Sequence, residues 1–274
     1  MAGQSGAGGG SAVAGAGELA ASGGSGGAAG GAGSSTNLGG SAGGSPVIED
    51  PPAGYVRGAV GVGYGGIRIL SRDGGKTWSK TGEVQQRGGD DGNLLRSVAF
   101  GNKLWVAGGW DKWWTSPNGA DWTLRPHKLG IIQGLAYGNK MFIASTIDGN
   151  ILRSFDGLAW TGLGNAGMGK HSRVVFGNGL FAVSGDPGQT VTSPDGTKWQ
   201  KSPVADPVAF CGGEFKTNSA CYGDKYNAGF WIEGTWLRDA GGIQLSSDSK
   251  AWKTVFQPGT NGIDDLFIGW VPGP

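Results

Sequence analysis

From Tyr55 onward, short β-prone runs alternate with turn signals, and the unit is clearest between residues 131 and 163. Ile131 to Tyr137, Lys140 to Ile147, Asn150 to Ser154 and Ala159 to Leu163 read as four strands, separated by Gly138-Asn139, Asp148-Gly149 and Asp156-Gly157. The text of the first of these strands recurs. Val98-Ala-Phe-Gly-Asn102, Leu135-Ala-Tyr-Gly-Asn139 and Val174-Val-Phe-Gly-Asn178 are copies, and Val208-Ala-Phe-Cys-Gly212 is a looser one.

A second repeated text sits between the third and fourth runs of each unit. Ser71-Arg-Asp73-Gly-Gly-Lys-Thr-Trp78, Ser116-Pro-Asn118-Gly-Ala-Asp-Trp122, Ser154-Phe-Asp156-Gly-Leu-Ala-Trp160, Ser193-Pro-Asp195-Gly-Thr-Lys-Trp199 and Ser246-Ser-Asp248-Ser-Lys-Ala-Trp252 align. Their tryptophans are 44, 38, 39 and 53 residues apart, the length of a four-stranded propeller blade. The expected fold is therefore all-β, a five-bladed β-propeller with four-stranded antiparallel blades. Tyr55 opens on what reads as a second strand, and Gly262-Ile-Asp-Asp-Leu-Phe-Ile-Gly-Trp270 is an inner strand without a blade. The C-terminal strand is thus expected to pair into blade one and close the ring, removing its unpaired edges.

These turns resemble Asp-box repeats, the Ser-x-Asp-x-Gly-x-x-Trp hairpins of sialidase-type, lectin-like and related propellers. The resemblance implies that Asp73, Asn118, Asp156, Asp195 and Asp248 bond N–H groups of their own turns, and that Trp78, Trp122, Trp160, Trp199 and Trp252 pack between strands. Both roles are structural and agree with Asx-turn chemistry. Propellers with such turns include glycosidases, binding proteins and assembly factors, so the resemblance speaks to architecture far more than to activity.

Composition divides the chain in two. Residues 1–46 are almost entirely Gly, Ala and Ser and hold none of the 12 Trp or 10 Phe, which predicts a disordered tether. Residues 47–274 carry the aromatics and are expected to form the propeller. The tether is similar to tracts that follow the lipidated cysteine of secreted bacterial lipoproteins, with Met1 in that cysteine's place, so an extracellular or outer-surface location is expected. Cys211 and Cys221, the two cysteines, are spaced so that a loop could close them into a disulfide. Twenty-two basic and 21 acidic side chains give a net charge of +1 without a basic block, which argues against nucleic acid. No apolar run is long enough for a transmembrane helix.

If the turns occupy one face, the opposite face is built by the loops between strands two and three and by the blade connections. Gly108 to Trp113 and Gly234 to Gly242 stand out there. Trp110, Asp111 and Trp113, and Trp236, Arg238 and Asp239, set an aromatic plate beside charged groups, a combination suited to stacking on a sugar and bonding its hydroxyls. Arg96 and Asp264, in equivalent inner-strand positions with Gln133 and Ser172, are expected near the central channel. No catalytic set assembles: Arg68 precedes the first turn too closely to stand for the sialidase arginine motif, and a pair such as Asp90 or Asp91 with Asp264 or Asp265 could in principle serve as glycosidase acid and base, although paired Asp in loops usually means turn chemistry or solvation. The histidines lack metal-binding spacing, and neither metal nor cofactor is expected. The functional expectation is a non-enzymatic propeller that binds a glycan, or a surface protein, through the loop face. Two alternatives stand beside it, a sialidase-like glycoside hydrolase or lyase and a protein-binding scaffold or assembly factor.

Overall fold

The computed structural model describes residues 50–274 apart from 168–172, 178, 186–188, 202–229, 233–234, 240–241 and 248–250. The expected boundary at residue 46, Ser172, Asp248 and the pairing of Cys211 with Cys221 lie outside the described residues.

Every described strand belongs to one of five four-stranded antiparallel sheets. The first contains β1 (Tyr55–Gly63), β2 (Arg68–Ser71) and β3 (Ser79–Gly82), and the second β4 (Leu95–Gly101), β5 (Leu104–Gly109), β6 (Lys112–Ser116) and β7 (Thr123–Pro126). The third is β8 (Ile132–Gly138), β9 (Met141–Thr146), β10 (Asn150–Ser154) and β11 (Thr161–Asn165). The fourth is β12 (Arg173–Gly177), β13 (Leu180–Gly185), β14 (Gln189–Ser193) and β15 (Gln200–Lys201), and the fifth β16 (Phe230–Ile232), β17 (Thr235–Asp239), β18 (Ile243–Ser246) and β19 (Lys253–Phe256). The first sheet is completed by β20 (Ile263–Pro272), which pairs with β1 from Tyr55↔Pro272 to Gly63↔Ile263. The remainder of the sheets are sequential hairpins. Asn139 and Lys140 form the two-residue turn between β8 and β9 with φ of 46° and 61°, the left-handed geometry that lets a tight hairpin follow the strand twist.

Period-2 alternation buries both faces of the inner strands of the first three sheets, because each of these packs against a neighbour on either side. Four apolar clusters lie between consecutive sheets. Ile67, Ile69 and Ile268 meet Ile243 of the fifth sheet, Val60 and Leu70 meet Val98 and Trp105, Val106 and Trp113 meet Leu135 and Phe142, and Ile143 and Ile151 meet Val174 and Phe181. The recurring Phe-Gly text has its reason here. A methyl at Gly269 would overlap Phe100, one at Gly101 would overlap Tyr137, and one at Gly138 would overlap Phe176. β4, β8 and β12 thus each lay an aromatic on the glycine of the preceding inner strand, and that glycine has no tolerance for a side chain.

Candidate functional site

Each of the four repeated turns that are fully described spends its Ser and Asp or Asn side chains on itself. The Ser71, Ser116, Ser154 and Ser193 hydroxyls donate to Asp73, Asn118, Asp156 and Asp195, and accept the N–H of Gly75, Gly119, Gly157 and Gly196 at 2.8–2.9 Å. The acidic or amide oxygen then accepts N–H groups further along, from Thr77, from Ala120 and Asp121, from Leu158 and Ala159, and from Thr197. Backbone N–H bonds from Ala159 and Leu158 hold the Asp156 carboxyl below its ordinary pKa, and the Thr197 hydroxyl and N–H do the same for Asp195. For Asp73, partial burial raises the pKa, but the Thr77 and Ser71 bonds together prevail and lower it.

Trp78, Trp122 and Trp199 are half-buried and donate to the carbonyls of Gly75, Gly119 and Gly196 at 2.9–3.0 Å. Each packs against the cluster shared with the preceding sheet. Trp160 differs: its Nε1 has no hydrogen-bond partner, and its ring lies flat on Trp113 with centroids 4.3 Å apart and planes 4° off parallel. Trp252 is half-buried too.

The opposite ends of the sheets carry chemistry that does not repeat. Asp90, in the connection from β3 to β4, ion-pairs with Arg96 and accepts the indole N–H of Trp110 at 3.2 Å. Trp110 is half-exposed, and Asp111 beside it is exposed with φ of 41°, a backbone conformation uncommon outside glycine and tolerated by Asp in tight turns. Lys112 donates to the Asn93 side chain at 3.2 Å, Asn93 donates to Gln85 at 2.8 Å, and Asn261 bridges Glu83, the Gln85 carbonyl and the Gly88 N–H at 2.6–2.8 Å.

Arg96, Gln133 and Asp264 are each stepped over by the pairing of their inner strand with its neighbour, which slips between Leu95 and Ser97, between Ile132 and Gly134, and between Asp265 and Ile263. Such slips re-aim a side chain out of the ladder, so these three positions are structurally equivalent, as their spacing predicts. The residue that follows matters as much. Asp265, 4% exposed, accepts from the Ser97 hydroxyl at 2.7 Å, the Val98 N–H at 2.9 Å and the Leu266 N–H at 3.0 Å, and Ser97 accepts the Leu135 N–H at 2.9 Å. One buried carboxylate therefore ties β20, β4 and β8 together. Of the carboxylates considered as glycosidase groups, Asp265 is enclosed in this way, Asp90 is ion-paired, and Asp91 accepts the N–H groups of Gly89 and Asn93.

Two expectations about the loop face fail. Trp113 belongs to β6, is 3% exposed, and packs in the cluster between the second and third sheets, against Trp160 and His127. The turn is shorter than its sequence suggests, since only Trp110 and Asp111 lie between β5 and β6. Trp236 is on β17, where it pairs with Ser246, at the register of Trp105, Phe142 and Phe181, which pair with Ser116, Ser154 and Ser193 and are fully buried. Its position is therefore at the end of the sheet that carries the repeated turns. Arg238 and Asp239 are at the other end of β17, opposite Gln244 and Ile243. Arg68 is the residue whose importance was missed: first in β2, 6% exposed, with its guanidinium carbon 4.1 Å from the ring centre of Trp114.

Among solved structures, a chain of the nidogen/laminin complex aligns over 78% of this chain and 98% of its own with a TM-score of 0.54 and 12% identity. The chain folds as a β-propeller. YCF48 from Cyanidioschyzon merolae aligns over 82% of this chain and 93% of its own (TM-score 0.42, 14% identity), and the WD40 β-propeller domain of Doa1 over 76% and 69% (TM-score 0.38, 16% identity). No protein-family model matches, and no curated protein matches by sequence. The face of Trp110, Asp111, Asp90 and Arg96 lies opposite the repeated turns. No group of three or more His, Cys, Asp or Glu capable of holding a metal occurs among the described residues, and no described helix is long and apolar enough to cross a membrane.

Proposed function

We propose that this propeller is a binding module without catalytic function that recognises a glycan through the face opposite its repeated turns. The observation that carries the reading is the Trp110–Asp90–Arg96 arrangement: a half-exposed indole held by a carboxylate that also pairs with a guanidinium. A ring fixed this way loses little side-chain freedom on stacking against a sugar, and the charged groups beside it can exchange water for hydroxyls. The four described turns, by contrast, bond their Ser and Asp or Asn groups internally and differ little from one another in that respect. In this reading the propeller is a ring of five blades closed by the β1–β20 pairing, the turns are Asp boxes, and residues 1–46 tether the ring to an extracellular or outer surface, in the manner of a lipoprotein.

A protein-binding scaffold is a second reading, favoured by Phe155 and Leu158, which stand 60% and 53% exposed on the third repeated turn. The test is a broad glycan array probed with the full chain and with Trp110→Ala, after both are seen to unfold at similar temperature. Specific binding by the wild type and its loss in Trp110→Ala is the expected result. Silence of the wild type on the array turns the reading to the scaffold, and binding unchanged in Trp110→Ala moves the glycan site elsewhere.

A further inference from the structure

Counting three residues back from the serine of each turn gives Arg68, Trp113, Ile151, Thr190 and Ile243, one slot repeated in five blades and buried in all of them. Four blades fill it with a neutral side chain. The first fills it with a guanidinium, and desolvation there pulls the Arg68 pKa down to about 10. Stacking on Trp114 offsets part of the cost of removing that charge from water. It leaves Nε and Nη1 buried without a hydrogen-bond partner, and among the described residues no carboxylate pairs with Arg68. Buried donors are ordinarily satisfied, so such an exception calls for an acceptor.

Trp114, on which this guanidinium stacks, also lines a cleft. Alternation along β6 puts Lys112 and Trp114 on the face toward the first blade, and Leu124 is opposite Trp114 on β7. With Leu94, Leu95 and Asn93 they line a cavity of about 160 Å³, room for a single ring or a branched aliphatic group. Its lining holds no acidic side chain. The carboxylate next to it in sequence, Asp91, is turned to the N–H groups of Gly89 and Asn93 at 3.2 and 2.8 Å, and among the described residues the Lys112 ammonium reaches the Asn93 amide oxygen and no carboxylate. One cation, Lys112, thus stands in the wall of an apolar cleft, and a second, Arg68, stacks on the Trp114 ring of that wall without lining it.

We propose that the cleft between the first and second blades is a binding site for a carboxylate carried on a small apolar body. The hydrocarbon fills the space among Leu94, Leu95, Trp114 and Leu124, and the carboxylate takes donors from Lys112 and Asn93 within the field of the Arg68 guanidinium behind the Trp114 ring. The two cations supply charge complementarity, and the low dielectric of the cleft makes it count. The site is separate from the Trp110 platform and stands or falls independently of the glycan reading.

Benzoate is the probe, titrated calorimetrically into the full chain beside benzamide, its uncharged counterpart, and inorganic phosphate. N-acetylphenylalanine is added to separate a free acid from the end of a peptide chain. Benzoate or N-acetylphenylalanine should bind, the tighter of the two identifying the source, while benzamide and phosphate bind at least tenfold more weakly. Arg68→Met and Lys112→Met should each weaken carboxylate binding tenfold or more, and Trp110→Ala should not change it. Arg68→Met is expected to fold, since the same slot is apolar in other blades, and its thermal midpoint should equal or exceed that of the wild type. Equal affinity for benzoate and benzamide, equal affinity for phosphate, failure of both carboxylates to bind, or undiminished binding in Arg68→Met would each overturn the assignment.

Discussion

Asn118 stands where the neighbouring turns carry Asp73, Asp156 and Asp195, and its amide oxygen takes the same kind of N–H donors at 2.8–3.0 Å. The turn thus needs an acceptor, and the charge on that acceptor is incidental to its geometry. The charge does couple the turn to pH. In the folded chain Asp156 and Asp195 have depressed pKa values, and so does Asp73. Their contribution is present above the ordinary Asp range near pH 3.9 and is lost as pH falls through the lower folded values. His127 has the same sign: burial lowers its pKa, so its contribution is complete above about pH 6.5 and declines below it. Replacing Asp156 and Asp195 together by Asn should leave the thermal midpoint at pH 7 within a few degrees of the wild type and flatten its fall between pH 4 and pH 2. Thermal melts across that range check this, and an unchanged acid slope in the double variant would assign acid sensitivity elsewhere.

At the scale of strands, the sequence was most readable where a unit repeats. The strands expected over residues 131–163 appear within two residues of their predicted bounds, because turn residues and alternation act locally. The failures are non-local. Trp236 reads as loop chemistry, yet Thr235–Asp239 is a strand whose register is set by Ser246 across the hairpin. Trp113 follows Trp110 so closely that both look like loop residues, and the pairing Trp113↔Arg125 puts the second on a strand. The cost of burying Arg68 depends on Trp114 of the second sheet, and no local pattern in its own strand carries that information. Asp265 illustrates the same limit: its partners Ser97 and Val98 are supplied by a strand more than 160 residues earlier. Asp265→Ala strands those buried donors and the Leu266 N–H, and it should destabilise the propeller by about 3 kcal/mol, measured as a shift of the urea midpoint at constant slope. A shift below about 1 kcal/mol would mean that water replaces the carboxylate and that the inner strands hold together without it.

Over the whole molecule, the first sheet is assembled from sequence-distant segments. β20 gives Ile263, Leu266 and Ile268 to the cluster shared with the fifth sheet and Trp270 and Val271 to the one shared with the second, and the Trp270 carbonyl accepts the buried Trp105 indole N–H at 2.8 Å. Its removal exposes apolar surface in two interfaces and leaves β1 an unpaired edge, a combination that favours association between chains. A chain ending at Gly262 should therefore lose the cooperative unfolding transition and self-associate, whereas deletion of a peripheral strand such as β7, exposed along its length, should cost far less. A synthetic peptide of residues 263–272 added to the truncated chain should restore the transition in proportion to its occupancy, because binding to the folded form alone shifts the equilibrium by mass action. If the truncated chain still unfolds cooperatively near the wild-type temperature, β20 is an accessory strand and the proposed ring does not depend on it for closure; rescue by the peptide would make the joining of the two ends the step that completes the fold.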